Sequence, residues 1–184
     1  LREKMTFFWH NHFSTSVPFA YLMQQQNNML RKHALGKFSD MLRAVSKHAA
    51  IMMYLNNQQN TKISPNENFA REVMELFTLG IGYYTEQDIK EGARAFTGWR
   101  INRSGEFEMD AKQHDDGEKS FLGKKGNFNG DDIINILLEQ KQTARFIATK
   151  IYGEFINEKI NQKRVVELAD GFFDSGYDIE KLMR

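Results

Sequence analysis

The sequence predicts a mainly α fold: a multi-helix orthogonal bundle with one short β-hairpin or irregular, glycine-containing segment around residues 99–128. Three observations carry this expectation. Apolar residues recur at helical spacing along most of the 184-residue chain. Helix start and stop signals punctuate that pattern. Alternation at a period of two, followed by recurring glycines, is confined to the stretch after Trp99.

In the first segment Leu1, Met5, Phe8 and Trp9 share a stripe, and Ser14-Thr15-Ser16-Val17-Pro18 ends it. Phe19 to Lys32 is polar-rich, yet Tyr21, Leu22, Met29 and Leu30 keep helical spacing until Gly36 breaks the run. Ser39 is the expected N-cap of a helix reaching Leu55, with Leu42, Val45, Ala49 and Met52 on its buried side. Ser64-Pro65-Asn66-Glu67 then reads as a capping box with proline at the first helical position. It opens a central helix to Leu79, with Gly80 as its stop. Phe69, Ala70, Val73, Met74, Leu76 and Phe77 fill one arc of that helix.

Thr85 begins the next helix with Asp88 three residues on, and Gly98 closes it. Arg100-Ile101-Asn102 and Glu106-Phe107-Glu108 alternate around Arg103-Ser104-Gly105 as a hairpin would, with further glycines at 117, 123 and 126. Helices resume at Asp131–Gln140, behind an Asn129 cap, and continue at Thr143–Ile156 and Gln162–Phe173.

Charge and composition limit the function classes. Twenty-five Lys and Arg against 24 Asp and Glu leave a net charge of +1, so no general field draws the chain to nucleic acid. No stretch approaches the roughly 20 apolar residues that a membrane-spanning helix requires. The absence of cysteine excludes disulfides, thiolate zinc sites and cysteine nucleophiles, leaving His, Asp, Glu and main-chain groups as metal ligands. The chain reads as one helical domain over residues 1–184. Its start at Leu1 and the unfinished amphipathic segment from Asp178 to Arg184 suggest truncation at both ends relative to a parent protein.

Three groups of residues are candidates for chemistry. His114-Asp115 lies in the least regular segment, where a histidine beside a carboxylate offers a metal ligand with its orienter, or a base with its orienter. The plainer alternative is a polar turn bent at Asp116-Gly117. Glu72 and Glu75 lie three apart on the central helix and share a face. Glu72 borders Leu76 and Phe69, so a neighbouring element could bury it and raise its pKa, whereas Arg71 can pair Glu67 and Glu75. His12 falls on the stripe with Met5, Phe8 and Trp9, either as a hydrogen-bonded core histidine or as a ligand. A divalent metal would take His12, His114 and Glu72; an acid–base site would use His114, Asp115 and Glu72. Lys125–Ile136 fails as a calcium loop at its first and last positions, and Gly123-Lys124-Lys125-Gly126 lacks the P-loop spacing.

Lys4-Met5-Thr6-Phe7-Phe8-Trp9-His10-Asn11-His12-Phe13, Arg31-Lys32-His33-Ala34-Leu35-Gly36, Pro65-Asn66-Glu67-Asn68-Phe69-Ala70-Arg71-Glu72 and Ala95-Phe96-Thr97-Gly98-Trp99 stand in that order. Together with His114-Asp115 and Lys119-Ser120-Phe121-Leu122-Gly123, they resemble the bacterial family catalogued as domain of unknown function 1800. The resemblance implies a mostly helical protein, often exported or periplasmic and often encoded beside a sulfatase-like family. It brings no established activity, cofactor or catalytic residue. Two functions are therefore expected. One is a metal-dependent or acid–base site, of hydrolytic type, where His114 and Asp115 meet His12 and Glu72. The other is a non-catalytic helical module that docks a partner protein such as the sulfatase-like neighbour.

Overall fold

The computed structural model describes residues 1–184. Helix α1 (Arg2–His12) is followed by α2 (Ala20–His33), α3 (Phe38–Ser46) and α4 (Ala49–Tyr54). After a 3-10 turn at Asn57–Gln59, α5 (Asn68–Glu72) runs directly into a π-helical segment, Val73–Thr78. Helix α6 (Glu86–Ala95) leads to the strands β1 (Trp99–Ile101), β2 (Phe107–Met109), β3 (Lys119–Phe121) and β4 (Lys124–Gly126). Helices α7 (Gly130–Glu139), α8 (Lys141–Phe155), α9 (Gln162–Asp174) and α10 (Ile179–Leu182) follow. The fold is mainly α, as the periodicity implies.

One contiguous apolar core draws on every helix, from Met5 in α1 and Phe69 in α5 to Ile147 in α8 and Ile179 in α10. Trp9 is fully buried, and its indole N–H donates to the Ala34 carbonyl at 3.1 Å. That bond gives a buried polar atom its partner and ties α1 to the end of α2. No helix is long and apolar enough to cross a membrane.

Two capping boxes form, one at the expected Thr85–Asp88 pair and one around Asn129, expected as a simple cap. Thr85 and Asp88 exchange side-chain and backbone bonds at the start of α6, and Asn129 and Asp132 do so at α7. The hairpin of β1 and β2 pairs Trp99 with Met109 and Ile101 with Phe107. The glycine-containing remainder holds a second hairpin, β3 with β4, turned through Leu122 (φ +46°) and Gly123 (φ +79°). Two successive left-handed residues suit a tight two-residue turn. Carboxylates of α6 fix this hairpin: Glu91 accepts from the Ser120 amide and Asp88 from the Leu122 amide.

Two expected elements are corrected. The central helix starts at Asn68, not Ser64, and its first amide donates to Asn66 Oδ1 at 3.0 Å rather than to Ser64. Ser64 instead pairs with Thr61 in an isolated β-bridge. Asn60 is the physical reason. Its side chain bonds the Ala93 carbonyl and receives the Asn66 amide, so long-range bonds hold the stretch that a local capping box would need. The helix expected from Ser39 to Leu55 is likewise two helices, broken at Lys47–His48, where His48 Nδ1 accepts from the Ala50 amide and caps α4.

Candidate functional site

A cleft of about 550 Å³ opens where α1, α4, α5, the π segment and α8 converge, lined among others by His12, Leu55, Glu72, Phe77 and Lys150. His12 is 6% exposed and sits among the rings of Phe8, Trp9, Phe13, Phe38, Phe77 and Phe146. Its Nε2 lies 3.2 Å from the Phe77 carbonyl oxygen. A carbonyl only accepts, so Nε2 carries the hydrogen and Nδ1 the lone pair. Lys150 Nζ donates to that lone pair at 3.2 Å. Burial, and then the nearby ammonium, push the imidazole pKa down to about 3, so it is neutral.

The π segment explains why Phe77 offers its carbonyl. The Leu79 and Gly80 amides both converge on the Met74 carbonyl, and Thr78 Oγ1 bonds back to the Val73 carbonyl at 2.7 Å. The carbonyls of a helix's last turn lack intrahelical partners. Here His12 satisfies Phe77, and Gln142 Nε2 satisfies Leu79 at 2.9 Å. Gly80 ends the segment at φ +83°, where a Cβ would stand 2.9 Å from the Phe146 ring. π-Helical turns inside helices concentrate at functional sites, and this one supplies the cleft wall.

Glu72 and Lys150 provide the ionisable chemistry. Glu72 is half-buried, and burial first, then Glu75, raise its pKa, with Arg71 opposing them. Lys150 is exposed as a residue, but its ammonium turns back to stand 4.8 Å over the Phe146 ring and against His12. Burial of the amine lowers its pKa. Arg71 bonds Glu67 and Glu86, and Glu75 takes the Tyr84 hydroxyl at 2.5 Å. Thus Arg71 pairs Glu67 as expected, and Glu86 takes the place anticipated for Glu75.

His114 and Asp115 lie against the end of α6, outside that cleft. Buried His114 donates from Nδ1 to the Thr97 carbonyl at 2.9 Å. Asp115 receives a two-pronged pair from Arg94, at 2.7 and 3.1 Å, and its amide donates to Thr97 Oγ1. The guanidinium bond holds the Asp115 carboxyl below its ordinary pKa. Lys119, 1% exposed, donates from Nζ to the Asp115 and Gly117 carbonyls. The segment is thereby clamped to the scaffold, with His114 Nδ1, the Asp115 carboxylate and the Lys119 ammonium taken up by that task.

The structure therefore brings His12 and Glu72 to one cleft and places His114 and Asp115 elsewhere. No three histidine or carboxylate side chains gather closely enough to hold a metal ion. Sequence reasoning missed Lys150, whose partner lies 138 positions away. Its one local signal is its spacing, three after Ile147 and four after Phe146, which puts a cation at the margin of an apolar stripe.

Fold and site together define a mainly α protein with a small polar cleft built at a π-helical wall. The chain belongs to the family described as protein of unknown function (DUF1800), whose family model matches residues 1–184. No curated protein and no solved structure matches it.

Proposed function

We propose that the cleft is a metal-independent acid–base site of hydrolytic type in a bacterial protein. Glu72 is its proton-transferring group, Lys150 its positive charge, and His12 the residue that positions Lys150. The observation that carries this reading is the presence, in one cleft, of a carboxyl and an ammonium that do not neutralise each other as an ion pair. A carboxyl raised toward neutrality can serve as both acid and base. In hydrolysis of an ester, Glu72 takes a proton from the attacking water as the water oxygen bonds the carbonyl carbon. The oxyanion forms near Lys150, and the proton then passes to the departing alkoxide as the carbon–oxygen bond breaks. The acid–base version is preferred to the metal version on chemical grounds. One His12 nitrogen is protonated and the other faces an ammonium that would repel a metal cation.

The test is a panel of neutral nitrophenyl esters, anilides and glycosides presented to the wild-type protein and to Glu72→Gln. Turnover of at least one compound that is lost in the variant supports the reading. Absence of turnover across the panel, or turnover indifferent to Glu72, overturns it.

A second reading, docking of a partner protein such as a sulfatase-like neighbour, has one specific observation in its favour. Phe7 of α1 is 64% exposed and lines two grooves, one toward Met23 of α2 and one toward Phe155 of α8. Exposed aromatics beside grooves mark interaction surfaces. Co-purification of a stoichiometric partner that is lost in Phe7→Ser, with cleft residues intact, would favour it over catalysis.

A further inference from the structure

Lys150 carries the one positive charge in the cleft lining, since His12 is held neutral. No carboxylate lies within 4.0 Å of its ammonium, and its polar partner is the uncharged imidazole. A cation fixed between an aromatic face and a neutral acceptor keeps donors free for an anion. Asn11 and Ser14, from the end of α1 and the turn after it, line the same cleft and add neutral donors. The opposite character is supplied by Leu76, a cleft residue 46% exposed to solvent, together with Leu55 and Phe77.

We infer that the cleft binds a small monocarboxylate, its carboxylate on Lys150 and its short apolar chain over Leu76 and Phe77. This rests on the reading of the cleft as an ester-hydrolysing site and names the class of its acid product, whose carboxylate takes the place on Lys150 that the oxyanion occupies during the reaction. One charge is favoured over two because the lining holds a single ammonium, which neutralises a single anion. A phosphate dianion would leave one charge uncompensated. A carboxylate on an ammonium is a charge-assisted contact, stronger than the same contact from an alcohol. An apolar chain of a few carbons gains further from covering Leu76.

The experiment is amide chemical-shift titration of the full chain at neutral pH with butyrate, butanol, butylamine and inorganic phosphate. Butyrate is expected to shift amides around Asn11, Phe77 and Lys150 and to bind about tenfold more tightly than butanol, the discrimination of one charge-assisted hydrogen bond. Lys150→Met should abolish that preference, Lys150→Arg should keep it, and Glu72→Gln should bind butyrate at least as tightly as the wild type. Equal binding of butyrate and butanol, tighter binding of phosphate, or an unchanged preference in Lys150→Met would overturn the inference. The two readings fail separately. Turnover of neutral substrates that needs Glu72, without preference for butyrate, removes the ligand class and leaves the acid–base site. Preference for butyrate without any turnover removes the acid–base site and leaves the seat.

Discussion

His12 and Lys150 meet as neutral imidazole and ammonium, Nδ1 accepting from Nζ at 3.2 Å, although 138 positions separate them in the chain. The contact exists because the other imidazole nitrogen is committed to the Phe77 carbonyl, which fixes both the ring and its tautomer. A helix terminus in need of a donor thus sets the position of a charge in the cleft.

This arrangement makes stability sensitive to acid. Folding lowers the His12 pKa from 6.5 to about 3, so the unfolded chain takes up a proton that the folded chain refuses. The contribution is complete above the unfolded pKa and is lost as pH falls from about 6.5 toward 3, on the order of 4 kcal/mol across that span. Urea unfolding at pH 7 and pH 5 should show wild type losing more stability than His12→Leu, by about 1 to 2 kcal/mol. Parallel losses in the two proteins would contradict the buried neutral imidazole.

Helix caps give a contrasting pair. Asn129→Ala removes the side chain that accepts from the Asp131 and Asp132 amides and should cost about 1 kcal/mol in urea unfolding. Ser64→Ala, at an equally persuasive sequence signal, should cost under about 0.5 kcal/mol, because Ser64 caps no helix.

These caps also show what was legible in the sequence. At Thr85–Asp88 and Asn129–Asp132 both partners lie within one turn, and nothing distant competes. Ser64-Pro65-Asn66-Glu67 has the same local form, but Asn60 binds the Asn66 amide and the Ala93 carbonyl. A long-range network thus overrides a local preference. The buried stripe of α1 was legible with His12 on it, as was the position of Glu72 at the edge of the apolar arc. The π segment was not, since its register depends on Thr78, Gly80 and partners donated by α1 and α8. Adjacent His114 and Asp115 resembled a working pair because sequence shows neighbours and not directions. Their side chains turn to Thr97 and Arg94 respectively.

Gly80→Ala tests the cleft wall. The substitution forces a side chain onto a backbone at φ +83° and a Cβ to within 2.9 Å of Phe146, the ring beneath the Lys150 ammonium. The expected loss is about 1 kcal/mol or more, seen as a lower thermal midpoint, together with a shifted Lys150 ammonium resonance. An unchanged midpoint would mean that the left-handed turn is not required.

His114→Ala should destabilise the chain by about 1 to 3 kcal/mol, because it leaves the buried Thr97 carbonyl without its donor. Binding at the cleft should be unaffected, which fragment titrations followed through the amides around Lys150 would establish.

The most direct test is kcat/KM on any panel substrate that is turned over, compared among wild type, Glu72→Gln, Lys150→Met and His114→Ala. A loss of about a hundredfold or more is expected in Glu72→Gln, the usual contribution of a general acid–base group. A clear loss is expected in Lys150→Met and little change in folded His114→Ala. Activity abolished by His114→Ala and retained by Glu72→Gln would place the chemistry beside α6 and rule out Glu72 as the proton-transferring group.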